Sequence, residues 1–354
     1  MKVTLRRQDT EIRFPVRSAG QYHADRSRLF LAVEHDGVTG YGEVAPQPEE
    51  LNGDAGIADV IDEVRIFVVP QLQAILDREG DLPSWTRVAR FAGSRAASNP
   101  AVALLEMALL DRELRVTHAT IDSLWPPRFP TPLQGTVSLI DEGEWSLEQN
   151  VARVRAKISP APLSASALRR LGELSTPVLL DYNCSARSDA DVVEQVRVLR
   201  DVADVIGVEQ PYAVGNVVDT ARLAEQLDVA VSVDEGVRSV RDVAQLVRYG
   251  AAEIVCVKPA RVGGLANART IIVEAHEAGL RPYLGGFFES PYARGVHRAL
   301  AHAFVDQPSD LGAVDVLHDG YAREVDVDEY GFGVTPSAEM LERGAVLVDV
   351  EVVI

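Results

Sequence analysis

Residues 178–181 read Val-Leu-Leu-Asp, an apolar run that stops on a carboxylate. Four further runs stop on an ionisable residue in the same way, and they end at Lys157, Glu209, Asp234 and Lys258. Successive end charges lie 24, 28, 25 and 24 residues apart, which leaves room for one strand, one helix and two short loops. The repeat predicts parallel strands that close into a barrel. The charges would then lie at its C-terminal mouth, where such barrels hold their active sites.

Strand–helix units of this kind extend beyond the five charged strands. The pattern predicts a first barrel strand at 133–139, a short helix near 147–151 and a last strand near 311–316, which makes eight strands. Prolines at 126–127, 130 and 132 mark the start of this region. We therefore predict an α/β fold with a modified (β/α) TIM-type barrel over residues 126–325.

The first 125 residues follow a different pattern, which predicts an α+β capping domain over 1–125. An Asp36-Gly37 hairpin signal joins two of its strands. Pro70 predicts a break or kink in a first helix, and Asn99-Pro100 predicts the N-cap and first residue of a second. The strands are predicted at 3–5, 29–34 and 38–43, the helices at 57–76 and 100–114, and a strand-like return to this domain at 326–354.

Composition describes an ordinary soluble globular protein, with 47% hydrophobic and 25% charged residues in a chain of 354. A net charge of -18 argues against a nucleic-acid surface, which needs a basic patch. No apolar run approaches the roughly 18 residues that span a bilayer, so no membrane association is expected. The two cysteines, Cys184 and Cys256, form no C-x-x-C pair, which favours a reduced, cytoplasmic setting and a packing role for both.

Three of the end charges are carboxylates: Asp181, Glu209 and Asp234. Carboxylates converging from adjacent strands repel one another unless a cation lies among them, and a hard ion such as Mg²⁺ prefers oxygen ligands. Lys157 and Lys258 would flank a substrate from opposite sides of the barrel. Such a set suits removal of a proton α to a carboxylate, with the cation stabilising the enediolate and a lysine of lowered pKa acting as base. Each charge alone could equally cap a strand end, but five at this spacing favour a site.

Six segments together resemble the enolase superfamily, and most closely its muconate-lactonizing-enzyme subgroup. The resemblance covers nearly the whole chain, including Gly40-Tyr41-Gly42-Glu43 and the stretch 103–111 in the capping domain. The six segments are Arg155-Ala156-Lys157, Asp181-Tyr182-Asn183, Val208-Glu209-Gln210-Pro211, Asp234-Glu235-Gly236, Val257-Lys258-Pro259 and Gly285-Gly286-Phe287-Phe288-Glu289-Ser290.

The resemblance implies a role for each matching residue. It implies that Asp181, Glu209 and Asp234 bind Mg²⁺, with Mn²⁺ as a substitute, and that Lys157 and Lys258 are the catalytic lysines. It implies substrate-binding or outer positions near the metal for a further set: Arg155, Asn183, Ser138, Gly286, Phe288 and Glu289. Glu289 is open between an acid and a structural partner. The capping-domain segments 17–24 and 46–52 are expected to be loops over the mouth that set specificity.

Two departures from the family pattern bear on the reaction. Arg155 stands where the family's K-x-K motif begins with lysine, and the 24 residues from Lys157 to Asp181 resemble the compact o-succinylbenzoate synthases. The implied activity is then dehydration of a small-molecule carboxylate in menaquinone biosynthesis. Alternatives are an N-acylamino-acid racemase or dipeptide epimerase, a muconate-type cycloisomerase, and a non-catalytic carboxylate-binding relative; homo-oligomer formation stays open. A single aspartate in Val314-Asp315-Val316-Leu317 argues modestly against the epimerases.

The remaining features are expected to be structural. No histidine ends a predicted barrel strand, which disfavours a histidine base, and His297 and His302 are expected to be surface or packing residues. Gly263-Gly264 opens a helix and is expected to form a tight turn more than a phosphate cradle. Gly285-Gly286 could let a substrate approach the backbone.

Overall fold

The computed structural model describes residues 1–18, 21–92, 97–130, 132–140, 147, 150–312 and 324–351. The predicted last strand at 311–316 and the Val314–Leu317 segment lie almost wholly outside these residues. Among the described residues, no helix combines the length and apolar character needed to cross a lipid bilayer.

One antiparallel sheet contains both ends of the described chain. Its order is β13-β1-β2-β3, so the C-terminal strand pairs with the N-terminal one, as the predicted return requires. The turn between the last two strands places Asp36 (φ 52) and Gly37 (φ 74) in the left-handed region, which confirms the hairpin signal. The strands are β1 (Lys2–Ser18), β2 (Gln21–His35), β3 (Val38–Val44) and β13 (Ala345–Glu351).

Two helical expectations for the first 125 residues need correction. The first helix does not end at Pro70; it runs as α1 (Ile57–Glu63), a π-helical turn (Val64–Val68) and α2 (Val69–Glu79), with the proline in the first turn of α2. In a first turn, the missing N–H of a proline removes no helical hydrogen bond of that helix and so costs little stability. The α-helical pattern is instead interrupted by the π-helical turn just before the proline. The second helix, α4 (Asn99–Val116), already includes Asn99, so Ser98 and not Asn99 takes the N-cap position, without a side-chain cap hydrogen bond. Short helices α3 (Trp85–Val88) and α5 (Ile121–Leu124) flank it.

The predicted loop at 17–24 is also wrong in part. Arg17 and Ser18 belong to β1 and residues 21–24 to β2, with Val16 paired to His23 and Arg17 to Tyr22. The pairing resumes after an irregularity between Glu11 and Val16, so the hairpin extends further than the alternation in the sequence indicated. The backbone of this extension still reaches the barrel, since Ser138 Oγ of β4 donates to the Arg17 carbonyl at 3.4 Å.

The predicted βα repeat forms a parallel sheet that follows chain order. In the described part of the chain it has seven strands, ordered β10-β9-β8-β7-β6-β5-β4. The strands are β4 (Gln134–Ser138), β5 (Arg153–Lys157), β6 (Val178–Asp181), β7 (Val205–Glu209), β8 (Ala230–Val233), β9 (Ile254–Val257) and β10 (Arg281–Leu284). The intervening helices are α6 (Ala165–Gly172), α7 (Asp189–Arg200), α8 (Val217–Ala224), α9 (Val240–Tyr249), α10 (Pro259–Val262), α11 (Leu265–Glu277) and α12 (Pro291–Phe304).

The two edges of this sheet meet through residues 309–310. Ser309 bridges in parallel to Leu133 beside β4, and its Oγ accepts from the Leu284 N–H of β10 at 3.1 Å. The Asp310 N–H donates to the Leu284 carbonyl at 2.9 Å. These contacts close the sheet into a barrel of the predicted TIM type, with an eighth chain segment between its first and seventh strands.

Several smaller elements differ from the sequence expectations. Residues 147, 150 and 151 are not helical, and 148–149 lie outside the described part, so the short helix predicted there is not observed. The C-terminal region is not strand throughout: α13 (Ala338–Arg343) follows β11 (Val325–Val327) and β12 (Val334–Pro336). The Ser337 side chain caps that helix by accepting from the Met340 N–H. This capping signal was overlooked because the surrounding sequence alternates like a strand. Domain boundaries at 125/126 and 325/326 remain predictions.

Buried carboxylates of the N-terminal region cap barrel helices. Glu106 on α4 accepts the Leu265 and Ala266 N–H groups at 2.8 Å each, at the start of α11. A Cβ on Gly264 would lie 2.6 Å from the Glu106 carboxylate, so this glycine makes room for the cap. Glu43 does the same for α12, accepting the Ser290 N–H at 2.6 Å. The Gly263-Gly264 turn is therefore filled by a protein carboxylate, which rules out the phosphate cradle.

We expect Glu106→Gln to gain stability relative to the unmutated chain as the pH rises. Burial raises the pKa of Glu106 from its ordinary 4.5 to about 7, although two backbone N–H groups oppose the rise. Between pH 4.5 and about 7, the folded chain therefore keeps a proton on Glu106 that the unfolded chain has already released. Its stabilising contribution is full below pH 4.5 and is lost as the pH rises through about 7. The difference in free energy of unfolding between the two chains should change by about 3 kcal/mol across this window, measured by urea unfolding.

Glu113→Gln is the matched control for this prediction. Glu113 lies on the same helix but is exposed. Its replacement makes the same chemical change without removing a buried cap. If the difference in free energy of unfolding for Glu106→Gln varied with pH no more than that for Glu113→Gln, the buried cap would not titrate in this range.

Candidate active site

The strand register brings the end charges to one level of the barrel. Lys157 pairs with Asp181 across β5 and β6, Asp181 with Glu209 across β6 and β7, and Glu209 with Ser232 across β7 and β8. Asp234 follows one residue after the end of β8. Since residues paired in a parallel register point to the same face, their side chains converge inside the mouth. All three carboxylates are fully buried there.

Each of two carboxylates is paired with a lysine. Lys157 Nζ contacts Asp181 Oδ2, and Lys258 Nζ donates to Asp234 Oδ2 at 2.8 Å. Burial would raise the pKa of Asp234, but Arg261, Lys258 and Arg155 together lower it well below its usual range. Burial would lower the pKa of Lys258, but the Asp234 carboxylate raises it above its ordinary value. A raised pKa favours the charged ammonium of Lys258, which is the form expected for a residue that stabilises an enediolate by its charge.

The third carboxylate is held by hydroxyl groups. Glu209 Oε2 accepts from Ser232 Oγ at 2.8 Å and from Tyr283 Oη at 2.5 Å. Burial raises the pKa of Glu209, and repulsion from Asp181 adds to this. The other oxygen, Oε1, accepts from Arg155 Nη1 at 3.2 Å. Sequence reasoning missed both hydroxyl residues, although Ser232 stands two positions before Asp234 on the same face.

Arg155 lies among the three carboxylates. Its guanidinium is 3.2 Å from Glu209 Oε1, 3.7 Å from Asp181 Oδ2 and 3.9 Å from Asp234 Oδ2. A closer ion pair, at 2.5 Å, joins Arg155 Nη2 to Asp310 Oδ2. Arg155 is thus a neighbour of the site's acids, as the sequence predicted, with a partner that the sequence did not reveal.

A second arginine connects the barrel to the N-terminal region. Arg261, on α10, contacts Asp234 Oδ1 through Nη1 and Asp54 Oδ2 through Nη2, the latter at 2.7 Å. Asp54 is buried beside the predicted loop at 46–52 and also pairs with Arg238 at 2.9 Å. This loop therefore reaches an acid of the site through one intervening side chain. Neither Asp54 nor Arg261 was predicted, because their meeting depends on contacts across more than 200 residues.

Asn183 hydrogen-bonds two acids of the site. Its N–H donates to Asp181 Oδ1 at 3.0 Å, and its side chain donates to Glu235 Oε1 at 3.2 Å. Asn52 of the 46–52 loop donates to the same oxygen at 3.3 Å. Asn183 has φ 45, a left-handed conformation that asparagine tolerates better than most residues. Burial raises the pKa of Glu235 to about 7, and Asp234 and Asp181 add to the rise.

Phe287, not Phe288, is the aromatic residue beside the charged groups. Its ring centroid is 4.7 Å from Lys258 Nζ and 5.2 Å from the Arg261 guanidinium carbon. A ring face attracts a cation, so Phe287 favours the charged form of Lys258. Phe288 is half-buried and has φ 67. The sequence placed Phe288 at the substrate pocket by resemblance alone, and that placement stays a prediction.

The glycines and glutamate of this segment have structural roles. A Cβ on Gly285 would lie 2.8 Å from Lys258 Cε, so this position must be small for the lysine to fit. A Cβ on Gly286 would lie 2.7 Å from Glu289 Oε2. Glu289 is buried and accepts the Phe287 N–H at 2.9 Å, which favours the structural role among the two left open for it. The room left by these glycines is occupied by side chains of the chain itself.

Other expected packing residues behave accordingly. Cys256 is buried and Cys184 half-buried, and burial raises the pKa of both thiols, which disfavours a nucleophilic role. His297 is buried on α12, where burial lowers its pKa. His302 is half-buried on the same helix.

The donor set fits a hard divalent cation in its chemistry, with three buried carboxylates on adjacent strands. In the structure, however, these three carboxylates are paired with cationic side chains of the protein. Within the described ranges, no three His, Cys, Asp or Glu side chains stand close enough together to hold an ion as they are. Lys157, Lys258 and Arg155 occupy carboxylate oxygens, so an ion would have to take over some of these contacts.

Comparisons with known proteins agree with this geometry. Residues 144–346 match the family model described as enolase C-terminal domain-like. The chain is 26% identical over 313 residues to the o-succinylbenzoate synthase of Bacillus subtilis, covering 85% of this chain and 81% of that protein. It is 27% identical over 371 residues to an N-succinylamino acid racemase of an Amycolatopsis species, covering 96% of each. Its fold matches the 2-chloromuconate cycloisomerase of Rhodococcus opacus, with TM-score 0.79, 22% identity and coverage of 96% and 98%.

Proposed function

Because this chain belongs to the enolase C-terminal domain-like family of enzymes, we propose that it removes a proton α to a carboxylate through an enediolate. Our specific proposal is dehydration of the o-succinylbenzoate synthase type, in a cytoplasmic menaquinone pathway. An N-succinylamino acid racemase is the second candidate, and a relative that bears that name is similar over 96% of its length. A muconate-type cycloisomerase ranks behind both, since it shares the same residues.

The observation that carries this proposal is the pair of buried lysines facing buried acids. The sequence has only three lysines, Lys2, Lys157 and Lys258, among 35 basic residues. Arginine keeps its proton throughout the physiological range, whereas lysine can release one in a suitable environment. A chain that uses arginine almost everywhere else retains lysine at these two strand ends. This selectivity supports proton transfer at Lys157 and argues against a non-catalytic carboxylate-binding role.

Lys157 takes the α-proton in this proposal and then gives it to the departing hydroxyl group, which leaves as water. Asp181, in contact with Lys157, orients the amine. A Mg²⁺ or Mn²⁺ ion held by Asp181, Glu209 and Asp234 would supply the positive charge that stabilises the enediolate. Arg155, at the first position of the motif, transfers no proton in this mechanism. An arginine, which keeps its proton, can therefore stand at that position.

Lys258 favours the lyase over the racemase. A two-base racemase needs both lysines to exchange protons, whereas a one-base dehydration needs Lys258 only as a fixed cation. Asp234 and the Phe287 ring both stabilise its charged form. The lyase therefore fits the surroundings of this lysine better.

One experiment distinguishes the dehydration from the racemisation. The purified protein with Mg²⁺ is incubated with the cyclohexadiene precursor of o-succinylbenzoate, followed by ultraviolet absorbance, and with N-succinyl amino acids in D₂O, followed by NMR. We expect rapid dehydration and slow or no α-proton exchange. Rapid exchange without dehydration would replace the lyase by the racemase, and the absence of both would overturn the proposal.

A further inference from the structure

The ion pair between Arg155 and Asp310 is the feature of the site that the proposed reaction does not use. We propose that Asp310 is a positioning residue that holds the Arg155 guanidinium partly away from the three carboxylates and so sets their affinity for a divalent cation. This inference rests on the proposed function, because it takes these acids to be the ligands.

The distances show how Arg155 is divided between its partners. The Nη2–Asp310 Oδ2 contact, at 2.5 Å, is a charge-assisted hydrogen bond. Towards the carboxylates, only the 3.2 Å contact to Glu209 Oε1 is within hydrogen-bond range. The approaches to Asp181 and Asp234, at 3.7 and 3.9 Å, are longer. Of these four acids, Asp310 therefore makes the closest contact.

Asp310 is well placed to hold a side chain, because its backbone is fixed on both sides. Its N–H donates to the Leu284 carbonyl at 2.9 Å, where the barrel closes. Its carbonyl accepts from Arg294 Nη1 at 3.2 Å. With 19% of its side chain exposed, Asp310 is less buried than the three carboxylates, whose side chains are fully buried. Arg155 is thus shared between this partly exposed acid and the buried carboxylates.

A guanidinium released from Asp310 would compete directly with a metal ion. It carries five N–H donors in a planar fork and can hydrogen-bond two acids at once, as it does here with Asp310 and Glu209. Without Asp310, the freed Nη2 would turn to the carboxylate oxygens that a cation needs. A buried charge that loses one partner seeks another, because burial without pairing is costly. A metal ion would then have to displace a stronger contact between Arg155 and the carboxylates than the one present in the unmutated chain.

The test is Mg²⁺ titration by calorimetry on the purified full chain in two backgrounds. In the unmutated background, Asp310→Ala should weaken Mg²⁺ affinity by about tenfold or more, a change typical of residues that orient metal ligands. In the Arg155→Met background, the same replacement should change the affinity by less than about threefold, because its effect requires Arg155. An equal loss in both backgrounds would show that Asp310 acts only as a distant charge, and would overturn the inference.

Two further measurements keep the result interpretable. Asp306→Ala, an exposed aspartate four residues earlier, is the matched control and should leave the affinity unchanged. If circular dichroism shows that Arg155→Met does not fold, Arg155→Lys serves as the background; a lysine ammonium cannot span Asp310 and Glu209 as the fork does, so the effect of Asp310→Ala should again be below about threefold. An unchanged Mg²⁺ affinity in Asp310→Ala would contradict this inference but leave the assignment of the three metal ligands standing. An unmutated chain that binds no Mg²⁺ would sink the metal assignment and this inference together.

Discussion

Lys157→Arg should lower kcat for dehydration by about 10²–10⁴-fold, the usual contribution of a general base. Arginine keeps the positive charge beside Asp181 but does not accept the α-proton near neutral pH. The fold and the Mg²⁺ affinity should therefore survive while proton removal stops. The measurement is steady-state turnover at saturating Mg²⁺, with α-proton exchange in D₂O as a second readout that does not depend on loss of the hydroxyl group.

Lys2→Arg is the natural comparison, because Lys2 is exposed at the start of β1 and is the only lysine in the sequence outside the candidate site. It should retain full turnover. If Lys157→Arg kept turnover near that of the unmutated chain, positive charge alone would suffice at this position, and the assignment of Lys157 as base would be wrong.

Asp234→Asn should weaken Mg²⁺ binding by at least about 100-fold, more than is usual for changes outside the ligand set. The amide keeps the shape of the side chain but removes a charge and replaces one oxygen by a donor. It also leaves Lys258 and Arg261 without their shared acid, so two cations would repel the incoming ion. Calorimetric titration measures the affinity directly, without reference to any substrate.

Asp228→Asn changes the same functional group at the opposite end of β8. Asp228 is exposed and pairs with Arg200 at 2.5 Å on the surface, so its replacement should leave Mg²⁺ binding intact. An Asp234→Asn protein that binds Mg²⁺ as tightly as this control would remove Asp234 from the ligand set.

The sequence predicted those parts of the molecule that depend on local periodicity. The strand–helix repeat and the side chains at its ends follow from a spacing that is visible in the chain. Residues that end parallel strands must meet at one edge, so Lys157, Asp181 and Glu209 could be placed together without coordinates. Asn183, by contrast, was expected near the metal only because of the family resemblance.

The parts that sequence reasoning missed depend on long-range contacts. Tyr283, Asp310 and Asp54 reach the site from segments 74 to 207 residues away from their partners Glu209, Arg155 and Arg261. No local pattern marks them, because a lone tyrosine or aspartate is as common on a surface as in a site. The contact of the Phe287 ring with Lys258 was missed for a related reason, since it depends on the turn that follows β10.

Anomalous X-ray diffraction from crystals of the full chain grown with Mn²⁺ tests the central claim most directly. The account predicts one strong peak inside the barrel mouth, bonded to oxygens of Asp181, Glu209 and Asp234, with Lys157 and Lys258 on opposite sides of it. A peak bonded to other residues, or saturating Mn²⁺ with no peak among these three acids, would contradict it.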